Sequence, residues 1–225
     1  MKKGVFYAVG IGPGDPELVT VKAIKTMENS DVIVVPKSGA KENIALTITK
    51  DYIKGKEVME SHMPMTKDRA KLDEYHKIAA EEIAEILDQG RSVAFLTLGD
   101  PCIYSTVMYV HRKIKEMGYD TKVIPGVTSF CAAAASLGEP LCEREEMLHI
   151  IPATFKGEEA LNLKGTRVLM KSGKSIMEMK DKLKGKRAML VERATMEGEK
   201  VYQDLQDLDE PSSYFSIIVV PGEED

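Results

Sequence analysis

The sequence predicts an α/β protein whose first ~120 residues build a mostly parallel sheet, followed by a second α/β region with shorter strands. Three observations carry this reading. Short apolar runs of strand length alternate with stretches of helical periodicity through the first half of the chain. Glycine- and proline-punctuated turns follow three of these runs, at Gly10–Pro16, Gly99–Pro101 and Pro125–Ser129. After the third turn a helix of small residues, Phe130–Leu137, opens a lysine-rich half with a different strand rhythm. The boundary is placed at 120/121, giving domains 1–120 and 121–225.

Taken in order, Val5–Val9 is a first strand, and Gly10-Ile11-Gly12-Pro13-Gly14-Asp15-Pro16 a stiff loop. Asp15 is a good N-cap and Pro16 suits a first helical position, so a helix is expected from Pro16, with Leu18, Val21, Ile24 and Met27 on its apolar face. Asp31–Val35 is continuously apolar, as a strand buried on both faces would be. Asn43–Tyr52 reads as a helix and Lys56–Glu60 as a short strand. His62–Asp68 is a loop with Met63 and Met65 around Pro64. Leu72–Leu87 is a strong helix with Leu72, Tyr75, Ile78, Ile83 and Ile86 on one stripe, stopped by Gly90. Ser92–Leu96 is the central strand and Val107–Met117 the helix after the Gly-Asp-Pro turn. Thr121–Ile124 is a further strand. Beyond Phe130–Leu137, strands are expected at Leu148–Ile151, Arg167–Met170, Ala188–Val191 and Tyr214–Val220, with a helix at Ile176–Leu183. The tail Glu223-Glu224-Asp225 reads as solvated charge.

The 225 residues carry 31 Lys and Arg against 36 Asp and Glu, a net charge of -5. No global basic field for nucleic acid exists. No run approaches the ~18 apolar residues of a membrane helix, and the N-terminus lacks the pattern of a signal peptide. Cys102, Cys131 and Cys142 form no C-x-x-C pair, so free thiols used in packing, in a cytoplasmic protein, are expected. His62, His76, His111 and His149 have no metal-ligand spacing.

The first loop is neither a Walker A loop nor a G-x-G-x-x-G dinucleotide loop, since Asp15 stands where the third glycine would be. Pro13 lacks a donor and Asp15 repels negative charge, so a neutral or cationic ligand group suits this loop better than a phosphate. Gly99 permits close backbone approach and Pro101 stiffens the turn. Asp100 adds an acceptor for neighbouring N–H groups or for a ligand. The C-terminal ends of strands in open α/β sheets are where ligands collect.

In this order and spacing, Val9–Thr20, Gly99-Asp100-Pro101 and Ile124–Ser129 resemble the tetrapyrrole (corrin/porphyrin) methylase family, over essentially the whole chain. Val32–Ser38, Met63-Pro64-Met65-Thr66, Phe95–Pro101 with Ile103–Thr106, and Gly126–Phe130 look most like its precorrin-2 C-20 methyltransferase branch. The resemblance implies two α/β domains, the second with a mixed sheet, and an active site in the cleft between them. It further implies S-adenosyl-L-methionine as methyl donor, with S-adenosyl-L-homocysteine as product, a tetrapyrrole substrate and a homodimer. The family's cofactor contacts carry over to Pro13, Leu98, Gly99, Asp100, Ile103, Tyr104, Thr128, Ser129, Met170 and Ala194. Asp15 and Tyr104 are candidate positioning residues. Because the substrate carries many carboxylates, Lys37, Lys67, Arg69 and Arg112 are candidates to meet them. One departure stands out: the uroporphyrinogen branch has an acidic residue at the end of the second strand, and this chain has Pro36. That branch's base is absent, which favours C-20 methylation of precorrin-2 or cobalt-precorrin-2 in cobalamin biosynthesis and leaves the proton acceptor unnamed. Other methylases of the superfamily, acting on another corrin carbon, on ribosomal RNA ribose or on a modified histidine, share the turns. So would a non-catalytic tetrapyrrole- or nucleotide-binding module.

Overall fold

The computed structural model describes residues 3–37, 43–64, 66, 68–152 and 158–222, in two compact units, Met1–Thr128 and Ser129–Asp225. The first unit holds a five-stranded sheet of β1 (Val5–Gly10), β2 (Val32–Lys37), β3 (Glu57–His62), β4 (Val93–Thr97) and β5 (Asp120–Ile124). Its spatial order is β3-β2-β4-β1-β5 and every pairing is parallel. All five strands therefore point their C-terminal ends the same way. The first four residues of β2, Val32–Val35, are wholly buried, as the unbroken apolar run requires.

Side-chain alternation splits the core in two. Phe6 and Ala8 of β1 face one way, with Val34 and Phe95, and pack under α3 (Arg69–Asp88) and α4 (Val107–Glu116). Val9, Ile33, Ala94 and Leu96 face the other way, under α1 (Val21–Asn29) and α2 (Ile44–Thr49). Period-two alternation in the strands and helices on both faces are the arrangement a parallel sheet demands.

In this first unit three elements differ from expectation. The helix after the first loop is broken: Asp15 caps a single 3-10 turn, Pro16–Leu18, accepting the Glu17 N–H at 2.8 Å. α1 then restarts under its own cap, with Thr20 Oγ1 accepting the Ala23 N–H at 3.1 Å. Its buried residues are Ala23 and Met27, whereas Val21 is 66% exposed. α3 starts earlier, capped by Asp68, and buries His76, Ala79, Ala80, Ile83 and Leu87. Ile78 is exposed, because repeated steps of three residues drift about 60° per step off a helix face. β5 is hydrogen-bonded along β1, so residues 121–128, assigned from the sequence to the second domain, lie in the first unit.

The second unit begins with α5 (Ser129–Leu137). Its sheet comprises β6 (Leu148–Pro152), β7 (Thr166–Met170), β8 (Met189–Glu192), β9 (Lys200–Tyr202) and β10 (Ser216–Val220). The order is β6-β7-β10-β8-β9; β6–β7 is parallel and the other pairs antiparallel, a mixed sheet. α6 (Ile176–Lys182) packs Ile176 and Met179 onto Leu169, Leu190 and Ile218. The short strand β9 was not foreseen, since Lys200-Val201-Tyr202 has too little apolar pattern to stand out. No helix among the described residues is long and apolar enough to cross a membrane. Cys102, Cys131 and Cys142 are free and exposed rather than packed.

Candidate active site

The three turns singled out in the sequence meet at one point of the first unit. β1, β4 and β5 are neighbours, so their C-terminal ends bring Gly10, Gly99 and Gly126 together. A methyl group on Gly10 would stand 2.6 Å from the Gly99 carbonyl oxygen and 2.7 Å from the Gly126 nitrogen. On Gly126 it would stand 2.2 Å from that same oxygen. Side chains of any size are excluded, and the backbones touch. The loops after β1 and β4 are also joined by a small antiparallel bridge. Gly99 N–H donates to the Gly12 carbonyl at 2.7 Å, and Gly12 N–H to the Gly99 carbonyl at 3.3 Å.

Asp100 fastens this junction from above. Its Oδ1 accepts the Cys102 N–H at 2.8 Å and its Oδ2 accepts the Gly126 N–H at 2.9 Å. Partial desolvation and then the Asp100 carboxylate raise the Cys102 thiol above its ordinary pKa. Tyr104 closes the turn in the left-handed region at φ 49°, a conformation uncommon for a non-glycine residue, and is exposed. Ser105 Oγ lies 2.8 Å from Thr97 Oγ1, tying the end of β4 to the start of α4. Pro13 is buried in the first loop and Asp15 is half-buried beyond it. Thr128, two residues past Gly126, has a buried Oγ1 with no hydrogen-bond partner.

In the second unit the named residues gather at one end of the mixed sheet. β7 and β8 both run antiparallel to β10, so Met170 and Glu192 end on either side of its first residues, opposite Ile217 and Ser216. Ala194 is buried just past β8. Lys171, Arg193 and Thr195 are left-handed, at φ 63°, 53° and 62°. Such strain in non-glycine residues collects at ligand sites. Burial pulls the Lys171 ammonium below its ordinary pKa. Ser129 opens α5.

Sequence reasoning missed several polar groups at this same end. Glu192 is buried and its Oε1 accepts the Ser213 N–H at 2.9 Å. Ser172 Oγ lies 2.8 Å from Ser216 Oγ. The Ser212 and Ser213 hydroxyls are buried without partners. The one signal available was Glu192 itself, a carboxylate closing the apolar strand Met189–Val191.

The basic candidates are dispersed. Lys37, at the end of β2, is ion-paired with Glu60 of β3. Arg69 is exposed at the first position of α3. Arg112 lies in the middle of α4 with its guanidinium 5.3 Å from the Tyr109 ring centre. Lys67 and Met65 lie outside the described residues.

Comparison with known proteins gives a consistent answer. Over 221 residues the chain is 37% identical to the probable cobalt-precorrin-2 C(20)-methyltransferase of Methanocaldococcus jannaschii, covering 95% of this chain and 94% of that one. It is 34% identical to the cobalt-precorrin-2 C(20)-methyltransferase of Salmonella typhimurium, covering 96% of each. The uroporphyrin-III C-methyl transferase of Thermus thermophilus, solved in complex with S-adenyl homocysteine, shares the fold. Its TM-score is 0.67 at 20% identity, over 97% of both chains. The sequence profile of the Tetrapyrrole (Corrin/Porphyrin) Methylases matches residues 5–209, a span that includes all three turns. With both sheets, the turn junction and the length of that match in agreement, the chain belongs to the tetrapyrrole methylase family.

Proposed function

We propose that this chain transfers the methyl group of S-adenosyl-L-methionine to C-20 of precorrin-2, or of cobalt-precorrin-2, in cobalamin biosynthesis, releasing S-adenosyl-L-homocysteine. The observation that carries the reading is the 37% identity, along nearly the whole of both chains, to a relative named for C(20) methylation of cobalt-precorrin-2. Support from the structure is the buried, unpartnered Thr128 hydroxyl beside a glycine junction, a place where a polar ligand gains a hydrogen bond that the protein does not supply.

When bound, S-adenosyl-L-methionine supplies an electrophilic methyl group on a sulfonium. Pro13, Leu98, Gly99, Asp100, Ile103, Tyr104 and Thr128 of the first unit would hold it, with Ser129, Met170 and Ala194 of the second. Each Asp100 oxygen already accepts one backbone N–H, and a carboxylate oxygen retains a second lone pair for a donor on the ligand. The Gly12–Gly99 bridge makes two loops one rigid surface, so little ordering remains to be done on binding.

The reaction asks mainly for position. The reduced macrocycle's meso carbon is electron-rich, so no protein nucleophile is required. Holding reactants in line contributes roughly 7–11 kcal/mol, against about 10²–10⁴-fold for general base work. Asp15 and Tyr104 are the positioning residues in this reading. Lys37, Lys67, Arg69 and Arg112 would meet substrate carboxylates, Lys37 by exchanging Glu60 for one of them. Three free cysteines suit a reducing cytoplasm, and the working form is a homodimer.

The test is incubation with methyl-labelled cofactor and precorrin-2, with and without cobalt, followed by location of the label. Label at C-20 is expected. Label at another carbon would move the chain to a sibling activity, and an unlabelled macrocycle would remove the reading.

A further inference from the structure

Away from the turn junction, the first unit carries a basic hollow that none of the machinery above uses. It measures about 500 Å³ and lies between α1 and the sheet. Its origin can be followed from the sequence. Lys22, Lys25, Thr26 and Asn29 are spaced i, i+3, i+4 and i+7, so they form one stripe of α1, beside the buried stripe of Ala23 and Met27. Facing them is Tyr7 of β1, partly buried against the core. The parallel register sets Lys122 of the edge strand β5 directly beside Tyr7, and its ammonium lies 5.8 Å from the ring centre.

The charge there is one-sided. No carboxylate is among the residues lining the hollow, and no ion pair to Lys22, Lys25 or Lys122 occurs among the described residues. Thr26 Oγ1 donates to the Lys22 carbonyl at 2.8 Å and Asn29 Nδ2 to the Lys25 carbonyl at 2.6 Å, so these two polar side chains are turned back onto the helix. What remains is two exposed lysines, Lys22 and Lys25, lining the hollow with Tyr7, and Lys122 flanking the same ring from the neighbouring strand, in a chain of net charge -5. Tyr7 stands three residues before Gly10, about 10 Å along the strand from the turn junction.

We propose that this hollow binds a multiply charged anion with a flat body, its phosphates or carboxylates held by Lys22, Lys25 and Lys122 and its flat face by Tyr7. Lysines of one sign gathered on one face concentrate anions more strongly than the same lysines spread over the whole surface. The site is independent of the methyl-transfer reading. Two sources share this chemistry, a nucleotide polyphosphate and a tetrapyrrole polycarboxylate, and the probes separate them.

The full chain is titrated with ATP and, separately, with uroporphyrin, at 50 mM and at 300 mM salt. Saturable binding of at least one is expected, weaker at the higher salt; the tighter probe identifies the source. K22Q/K25Q/K122Q, shown folded by circular dichroism, is expected to lose at least tenfold in affinity, and the corresponding triple arginine variant to keep it. Tyr7→Leu is expected to weaken ATP or uroporphyrin more than inorganic tripolyphosphate. K50Q/K184Q/K200Q, which removes the same charge elsewhere, is expected to bind like wild type. The proposal is overturned if neither probe saturates at 50 mM salt, or if the two glutamine triples lose affinity equally.

Discussion

Oδ2 of Asp100 accepts the backbone N–H of Gly126 at 2.9 Å, joining the turn after β4 to the turn after β5 across 26 residues of chain. The other oxygen holds Cys102 within its own turn. One carboxylate thus fixes two of the three family turns, and its removal acts on shape and on ligand binding together. Asp100→Ala is expected to cost about 1.5–3 kcal/mol in urea unfolding, the range for hydrogen bonds to a charged group. It is also expected to weaken S-adenosylhomocysteine binding at least tenfold by calorimetry. Wild-type affinity in a folded variant would take Asp100 out of the site.

Gly126 and Gly118 offer a matched pair. A methyl on Gly126 meets the Gly99 oxygen at 2.2 Å; one on Gly118 meets nothing within 4 Å, although φ is +83°. Gly118→Ala should cost about 1–2 kcal/mol from left-handed strain alone and leave cofactor affinity untouched. Gly126→Ala should cost about 1–3 kcal/mol from overpacking and lower affinity as the junction opens. Equal affinities in the two variants would mean that the glycine contact shapes no ligand surface.

Thr128→Val separates stability from binding. The Thr128 hydroxyl is buried with no partner, so its loss removes a desolvated polar atom while keeping the side chain's shape. Thermal stability is expected to hold or rise slightly. Affinity for S-adenosylhomocysteine is expected to fall about two- to tenfold, the worth of one ordinary hydrogen bond. A loss of stability with unchanged affinity would contradict the role.

His76 and His111 predict a pH dependence. Burial is the first cause that holds both imidazoles below their ordinary value; His76 stacks on Tyr109, and His111 Nδ1 is buried without a partner. A depressed histidine binds fewer protons folded than unfolded. Its contribution is therefore complete above the unfolded pKa of about 6.5 and is lost as pH falls below it. Denaturant midpoints should decline between pH 7.5 and pH 5. In H76Q/H111Q the decline should be shallower; an unchanged slope would assign it to the carboxylates instead.

Much of the fold was legible because strand and helix periodicities survive burial. Val32–Val35 reads as a doubly covered strand and is one. The turn motifs were legible as glycine and proline, but not their meeting, which depends on the β4-β1-β5 neighbourhood that no local pattern encodes. Thr20 hid a helix start because Asp15 and Pro16 offered a better-looking one. At the second sheet, Lys171, Arg193 and Thr195 are left-handed without glycine, so the backbone strain beside Met170 and Ala194 leaves no compositional trace. Ser212 and Ser213 look like an ordinary polar turn until their burial is seen.

The strand order also sets a schedule for synthesis. β1 is made before the other four strands of its sheet, yet its sheet neighbours among the described residues are β4 and β5. On the ribosome it has no partner until residues 93–97 have emerged, while β2 and β3 can already pair. The glycine junction is consequently among the last parts of the first unit to form. A chain stalled before β4 would present β1 with both edges open, the state in which a nascent sheet is most exposed to wrong pairing.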